Sequence, residues 1–217
     1  MEDSPSASYD AHHEFGPTAG GPVRSIVGIG ASAGGLEALS ELLDSLPADT
    51  GTAFVVVQHL RPDHPSLLPE LLARDTAMQV VEAADGAPIE GDHVYVIPPG
   101  ADVTVDGGTM RLWPRHTAGG LHLPINGLMR SIATDRGQDA IGVVLTGTGS
   151  DGTDGLAQIK SAGGVTFAQD PASARFAGMP QSAIDAGVVD LVGTPDVLAR
   201  GIALVLAGEG LESDGPG

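Results

Sequence analysis

Apolar residues in this chain fall into short continuous runs, and amphipathic segments separate those runs. The run that starts at Ser25 (SIVGIGA), Ala53–Gln58 and Ala140–Leu145 are apolar at nearly every position. Such runs are typical of strands covered on both faces. Pro124–Arg136 and Pro195–Leu206 have the pattern of helices that begin with proline. The alternation predicts an α/β fold with a doubly wound, mostly parallel sheet and helices on both faces.

The same pattern predicts the smaller elements. Further helices are expected over Pro65–Arg74, over Thr153–Ala162 and from Pro180 onward, and further strands over Gln79–Ala83, His93–Ile97, Val165–Ala168 and Val189–Val192. Two alternating segments, Asp102–Val105 and Met110–Trp113, flank the turn residues Asp106-Gly107-Gly108. A turn of this composition between two such segments predicts an antiparallel β-hairpin appended to the sheet.

The two ends of the chain differ in composition from the part between them. Residues 1–22 are rich in Ser, Pro, Gly and acidic residues and lack periodicity, which predicts a disordered arm. Residues 208–217 predict a disordered tail, which leaves 23–207 as one domain. The N-terminus has no apolar signal-peptide core, and no apolar run is long enough to span a membrane. We therefore expect a cytoplasmic protein without membrane insertion.

Charge and residue usage exclude several function classes. The chain of 217 residues has 28 acidic and 10 basic side chains, a net charge of −18, which disfavours nucleic acid and anionic membranes as partners. The absence of cysteine excludes thiol chemistry and cysteine-ligated metals. Two histidine-containing groups, His59 with Asp63 and His64, and His116 with His122, have the residue types of a metal site. Neither has a recognised metal-binding spacing, so we expect no metal and no cofactor.

Three residues that could carry chemistry follow three of the predicted strands. Ser32 follows the first strand, His59 follows the second, and Asp151 lies in the glycine-rich segment after Ala140–Leu145. The carboxyl ends of parallel strands meet at one edge of a sheet, so the three side chains are expected to converge there. Together they would supply a nucleophile, a general base and an orienting carboxylate.

Each of these residues also has a simpler explanation. Ser32 has the residue type and position of an N-cap for the helix that follows it. Asp151 could likewise cap the helix that starts near Thr153, and His59 could be a hydrogen-bonded histidine at a strand end. These alternatives remain open from the residues alone.

Two other motifs overlap Ser32, one typical of dinucleotide-binding proteins and one typical of α/β-hydrolases. Both compete with this interpretation. Gly28-x-Gly30-x-x-Ala33 matches the dinucleotide-binding fingerprint, but no acidic residue follows the second strand to hold a ribose. Gly30-x-Ser32-x-Gly34 matches the nucleophile elbow of α/β-hydrolases, whose histidine comes late in the chain, whereas the last histidine here is His122. Both motifs are therefore disfavoured, and we expect no tight nucleotide binding.

Five motifs in order give a more specific match. They are GIGASAGGLEAL, FVVVQHL, VYVIPPG, GVVLTGTGSDGTDGL and SARFAGMPQSAI. Together they resemble the CheB-type protein-glutamate methylesterase domain, most closely the CheB part of CheB–CheR hybrid proteins, from about residue 25 to residue 206. The resemblance implies that Ser32, His59 and Asp151 are catalytic. It also implies that backbone N–H groups near Ala33 and Thr148 bind the oxyanion.

The resemblance further implies a substrate and partners. The substrate would be a glutamyl methyl ester on a methylated chemoreceptor or a related signalling protein, with glutamine deamidation as a second activity. A CheR-type methyltransferase or a regulator would act in trans, because residues 1–22 leave no room for a receiver domain. We therefore expect a standalone domain whose activity is not controlled by phosphorylation in cis. The alternative is a non-catalytic module that keeps the fold for docking.

The chain departs from the family pattern at three positions near the expected site. Ala33 stands where threonine is common, Thr148 where methionine is common, and Asn126 where the family has an acidic residue. A backbone donor survives a change of side chain, so Ala33 and Thr148 keep their expected role.

Overall fold

The computed structural model describes residues 23–59, 66–115 and 122–211. The expected disordered arm, residues 1–22, lies outside the described residues, as do Asp63, His64 and His116.

The described chain contains nine strands and six α-helices. In order they are β1 (Ile26–Ala31), α1 (Gly35–Asp44), β2 (Ala53–Gln58), α2 (Leu68–Leu72), β3 (Gln79–Glu82), β4 (His93–Val96), β5 (Ala101–Asp106), β6 (Thr109–Pro114), α3 (Pro124–Arg136), β7 (Ala140–Val144), α4 (Thr153–Ser161), β8 (Val165–Gln169), α5 (Gly178–Asp185), β9 (Leu191–Gly193) and α6 (Pro195–Leu206). Seven strands form one sheet in the order β3-β4-β2-β1-β7-β8-β9. Every neighbouring pair in that sheet is parallel, and β5 and β6 form a separate antiparallel hairpin.

The predicted fold class is confirmed, and the differences lie at element ends. Helix α2 begins at Leu68 rather than Pro65, and the proline in its first turn is Pro69. Helix α5 begins at Gly178, which places Pro180 within the first turn, where a backbone N–H has no intrahelical partner. Strand β9 begins at Leu191, two residues later than expected. Prolines mark these helices correctly but do not fix their first residues.

Two hydrophobic layers cover the sheet, one on each face. Helices α1, α2 and α6 cover one face with leucine, alanine and isoleucine side chains, and we call this layer the leucine face. Helices α3, α4 and α5 and the hairpin cover the other, and we call this layer the glycine face. On that second face the central strands carry glycines where the helices pack against them.

The two glycines of the fingerprint motif in β1 serve this close packing. A Cβ on Gly30 would lie 2.4 Å from Cγ2 of Ile125, and one on Gly28 would lie 2.8 Å from Cδ1 of Ile132. Both isoleucines belong to α3. The glycines therefore admit a helix against the strand.

The packed unit reaches past the expected boundary at residue 207. Leu211 packs against the leucine-face core, and the N–H groups of Gly208 and Glu209 donate to carbonyl groups of α6. The rest of the expected tail, residues 212–217, lies outside the described residues. Among the described helices, none is both long enough and apolar enough to cross a bilayer.

Candidate active site

Ser32, His59 and Asp151 meet at the point where the order of the strands in the sheet reverses. From β1 the chain moves through β2 to one side of the sheet, and β7 lies on the other side of β1. The crevice at such a switch point is where open α/β sheets bind ligands. Two backbone hydrogen bonds join the strand ends there: Ser32 N–H donates to the carbonyl of Thr146 at 3.0 Å, and His59 N–H donates to that of Ala31 at 3.3 Å.

Ser32, His59 and Asp151 form a continuous chain of polar contacts. Nδ1 of His59 lies 3.2 Å from Oγ of Ser32, and Nε2 lies 3.0 Å from Oδ2 of Asp151. The His59 side chain is 31% exposed, whereas that of Asp151 is 3% exposed. Solvent and substrate therefore reach the serine–histidine end, and the carboxylate lies beneath it. A nucleophile, a base and an orienting group in this sequence can perform acyl transfer.

The start of helix α3 holds the Asp151 carboxylate. Backbone N–H groups of Ile125 and Asn126 donate to Oδ2 and Oδ1 at 3.1 and 3.0 Å. These are residues of the first turn, after Pro124, where N–H groups lack intrahelical acceptors and the helix dipole favours an anion. The Asp151 carboxylate therefore has three hydrogen-bond partners. The two backbone N–H groups hold it in a fixed orientation toward His59.

The structure contradicts both capping explanations. Gly34, with φ of 74°, is the N-cap of α1, and no side chain caps that helix, so the Ser32 hydroxyl is directed to His59 instead. Gly152 is the N-cap of α4, and Asp151 satisfies N–H groups of α3 rather than of α4. His59 is a hydrogen-bonded histidine at a strand end, as the third simpler explanation holds. Its partners are Ser32 and Asp151.

Asn126 has a role that sequence reasoning missed. Its side-chain oxygen accepts the N–H groups of Gly152 at 3.0 Å and Gly155 at 2.8 Å, at the start of α4. The residue is 4% exposed. Its backbone holds Asp151 while its side chain holds the loop that carries Asp151.

Ala33 follows Ser32 in the chain, and the residue before Thr148 packs against Ser32. A Cβ on Gly147 would lie 2.9 Å from Cβ of Ser32 and 2.1 Å from Sδ of Met179, so only glycine fits between them. Thr148 follows directly. Within the described part of the chain, the N–H groups of Ala33 and Thr148 donate to no acceptor. That these two N–H groups bind an oxyanion stays a prediction.

A cleft opens beside His59. Its walls come from the ends of β2 and β4 and from the base of the hairpin, and its lining includes Gln58, Pro98, Arg115 and His122. Nε2 of His122 lies 2.6 Å from Oδ1 of Asp102 in this wall.

The metal prediction concerns residues that are only partly described. Among the described residues, no group of three or more histidine, aspartate and glutamate side chains is arranged to hold a metal ion. His122 is engaged by Asp102, and His59 by Ser32 and Asp151. The expectation that the chain uses no metal and no cofactor stays a prediction, as does the absence of nucleotide binding.

Comparison with known proteins identifies one family. Residues 27–202 match the family model described as CheB methylesterase. A protein-glutamate methylesterase/protein-glutamine glutaminase of Anaeromyxobacter dehalogenans is 36% identical over 177 residues, which cover 82% of this chain and 52% of that protein. A protein of the same description from Photorhabdus laumondii is 39% identical, over 77% of this chain and 49% of its own.

A longer relative and a solved structure extend the comparison. An uncharacterised 104.1 kDa protein of Rhodobacter capsulatus is 48% identical over 55% of this chain, which covers 12% of that protein. The chain thus spans about half the length, or less, of these curated relatives. The crystal structure of the Thermotoga maritima CheB methylesterase catalytic domain superposes with a TM-score of 0.76 at 27% identity, covering 85% of this chain and 99% of that domain. This chain belongs to the CheB methylesterase family.

Proposed function

We propose that the chain is a serine esterase that hydrolyses γ-glutamyl methyl esters on chemoreceptor-like signalling proteins in the cytoplasm. The observation that carries the proposal is the contact chain from Ser32 through His59 to the buried Asp151. The names of the curated relatives support the substrate class, because they are described as protein-glutamate methylesterases. A CheR-type methyltransferase acting in trans would supply the ester.

In the first half of the reaction, Oγ of Ser32 attacks the ester carbonyl carbon. Nδ1 of His59 takes the hydroxyl proton, and the Nε2–H donates to Asp151, which stabilises the charged ring. The negative charge that develops on the carbonyl oxygen is received by the N–H groups of Ala33 and Thr148. Collapse of the tetrahedral intermediate breaks the bond to methoxide, which leaves as methanol with the proton from His59.

The second half repeats these roles with water. His59 takes a proton from water, the resulting hydroxide attacks the acyl carbon, and Ser32 leaves with the proton restored. The products are a glutamate side chain and the free serine. With a glutamine side chain as substrate, the leaving group is ammonia, and the relatives' description as protein-glutamine glutaminases favours this second reaction at the same site.

The test is methanol release from a methylated receptor fragment. Ser32→Ala should lower turnover by at least about 10³-fold, because members of a triad act as a unit. Ser161→Ala, which removes an exposed hydroxyl on α4, is the matched control and should leave turnover unchanged. Ammonia release from an unmodified glutamine-containing fragment measures the deamidase reaction in parallel. Near-wild-type turnover by Ser32→Ala would refute the serine mechanism. Methanol release by the wild type would support the substrate class whatever the variant does, and its absence would refute that class.

A further inference from the structure

Two arginines lie near the serine–histidine pair, one against the turn that follows Ser32 and one in the cleft beside His59. Arg175 packs its side chain over Gly34, close enough that a Cβ on that glycine would lie 3.0 Å from Cβ of Arg175. Arg115 lines the cleft that opens beside His59. Both arginines are exposed in a chain whose net charge is −18. Cations at the site are therefore a local exception to the charge of the whole protein.

Backbone contacts fix Arg175 relative to the nucleophile. Its neighbour Phe176 accepts the N–H of Gly147 at 2.9 Å and donates its own N–H to Oγ1 of Thr146 at 2.9 Å. Thr146 in turn accepts the N–H of Ser32. The guanidinium lies 5.9 Å from the ring centroid of Phe176. Arg175 is thus attached to the same loop that holds Ser32 in place.

The Arg175 guanidinium forms only a weak ion pair. Its partner is Glu37, 3.7 Å away, and the two side chains are 68% and 71% exposed. An exposed ion pair at this distance contributes little and exchanges readily with another anion. A substrate carboxylate can therefore replace Glu37 at small cost.

Arg115 is anchored through its backbone and free at its side chain. Its N–H donates to the carbonyl of Gly100 at 2.7 Å, at the base of the hairpin. No carboxylate pairs with its guanidinium among the residues that the structure describes. The nearby carboxylate of Asp102 is engaged by His122. Among the described residues, the Arg115 guanidinium is therefore free to bind an anion that enters the cleft.

From this arrangement, and resting on the proposed function, we infer that Arg115 and Arg175 select esters embedded in an acidic segment. The ester enters between them at Ser32, and carboxylates that flank it on the substrate bind one guanidinium on each side. Guanidinium groups bind carboxylates through charge-assisted, often bidentate, hydrogen bonds. Without these cations an acidic enzyme would repel an acidic substrate.

The experiment compares two helical peptides that carry one γ-methyl glutamate. In one peptide the flanking positions are glutamate, and in the other they are glutamine. Their affinities are measured by calorimetry at low salt on the Ser32→Ala background, so that the ester persists. We expect the acidic peptide to bind about tenfold more tightly, with each arginine contributing about threefold. High salt should reduce this ratio, because it screens exposed charges.

The variants Arg115→Gln and Arg175→Gln should each lower the ratio about threefold, and the double variant should bring it close to one. Arg24→Gln is the matched control: Arg24 is 82% exposed and precedes β1, at the opposite end of the strand from Ser32. It should leave the ratio unchanged. A ratio near one before substitution, or a preference that survives in the double variant, would overturn the inference. Absence of methanol release by the wild type would refute the proposed function instead, since the binding ratio does not depend on turnover.

Discussion

Helices cover both faces of the sheet, but the two layers are built from different residues. On the leucine face, α1 fills the space above the strands with large aliphatic side chains such as Leu39, Leu42 and Leu43, all fully buried. On the glycine face, α3 lies so close to β1, and α4 so close to β7, that Gly28 and Gly142, neighbours in register, have no room for a Cβ. The leucine face buries large apolar side chains. On the glycine face, the absence of side chains on the strands lets the helices approach the strand backbone closely.

This difference matters for the site, because the chemistry depends on the second layer. The first turn of α3 donates to Asp151, and Asn126 of the same turn holds the start of α4. Helix α5 contributes Met179 beside Gly147. On the leucine face, α1 begins at Gly35, just after the turn that follows Ser32. We therefore expect substitutions on the two faces to separate stability from activity.

Leu42→Ala tests the leucine face and has the largest expected effect on folding. The side chain is fully buried, so its removal should lower the free energy of unfolding by about 2–5 kcal/mol through lost transfer energy and a cavity. Turnover of the protein that remains folded should stay within about twofold, because less than 0.5 kcal/mol of the barrier is expected to change. Chemical denaturation and methanol release measure the two quantities. A large loss of turnover in folded protein would show that this layer also positions the site.

Gly30→Ala tests the glycine face and should affect both quantities. The new methyl group would meet Ile125, whose N–H donates to Asp151, so α3 must shift away from the strand. Overpacking of this kind costs about 1–3 kcal/mol. Displacement of the donor should also lower turnover by about tenfold or more, because an error of about 1 Å in a catalytic group has effects of this size.

A second substitution makes this prediction specific. Ile125→Ala removes the atoms that the Gly30→Ala methyl group would meet and keeps the backbone N–H that holds Asp151. The double variant should therefore recover turnover relative to Gly30→Ala alone, as contacting residues are non-additive. Additive losses in the double variant would contradict a steric origin.

Much of this arrangement follows from the sequence. Continuous apolar runs located the central strands, and a parallel sheet then placed Ser32, His59 and Asp151 at one edge. What could not be predicted is which helix start the carboxylate would meet. Asp151 contacts Ile125 and Asn126 from 26 and 25 residues away, and such a contact depends on how close α3 can approach β1. That approach is set by packing of the folded chain, whereas a capping preference is local and favoured the nearer helix.

The smallest expected effect concerns acid stability and compares one carboxylate from each face. Burial tends to raise the pKa of Asp190, but hydrogen bonds from Lys160 and Thr166 outweigh it and hold the pKa below its ordinary value. These partners lie 30 and 24 residues away, in α4 and β8. A hydrogen bond from Thr194 likewise lowers the pKa of Asp196 in α6, but that partner is two residues away.

A carboxylate with a lowered folded-state pKa stabilises the fold above its unfolded pKa, and that stability is lost as the pH falls through the folded value. Asp190→Asn should therefore lower the Tm at neutral pH, and the difference from wild type should shrink as the pH falls below about 3.8, the ordinary value for aspartate. Asp196→Asn should change this dependence less, because its contacts are within one turn and form readily without the rest of the fold. Thermal unfolding from pH 7 to pH 3 measures both. An equal pH dependence of the Tm in both variants would show that the contacts of Asp190 with Lys160 and Thr166 stabilise the fold no more than the local contact of Asp196 with Thr194. That result would weaken the distinction between the two layers.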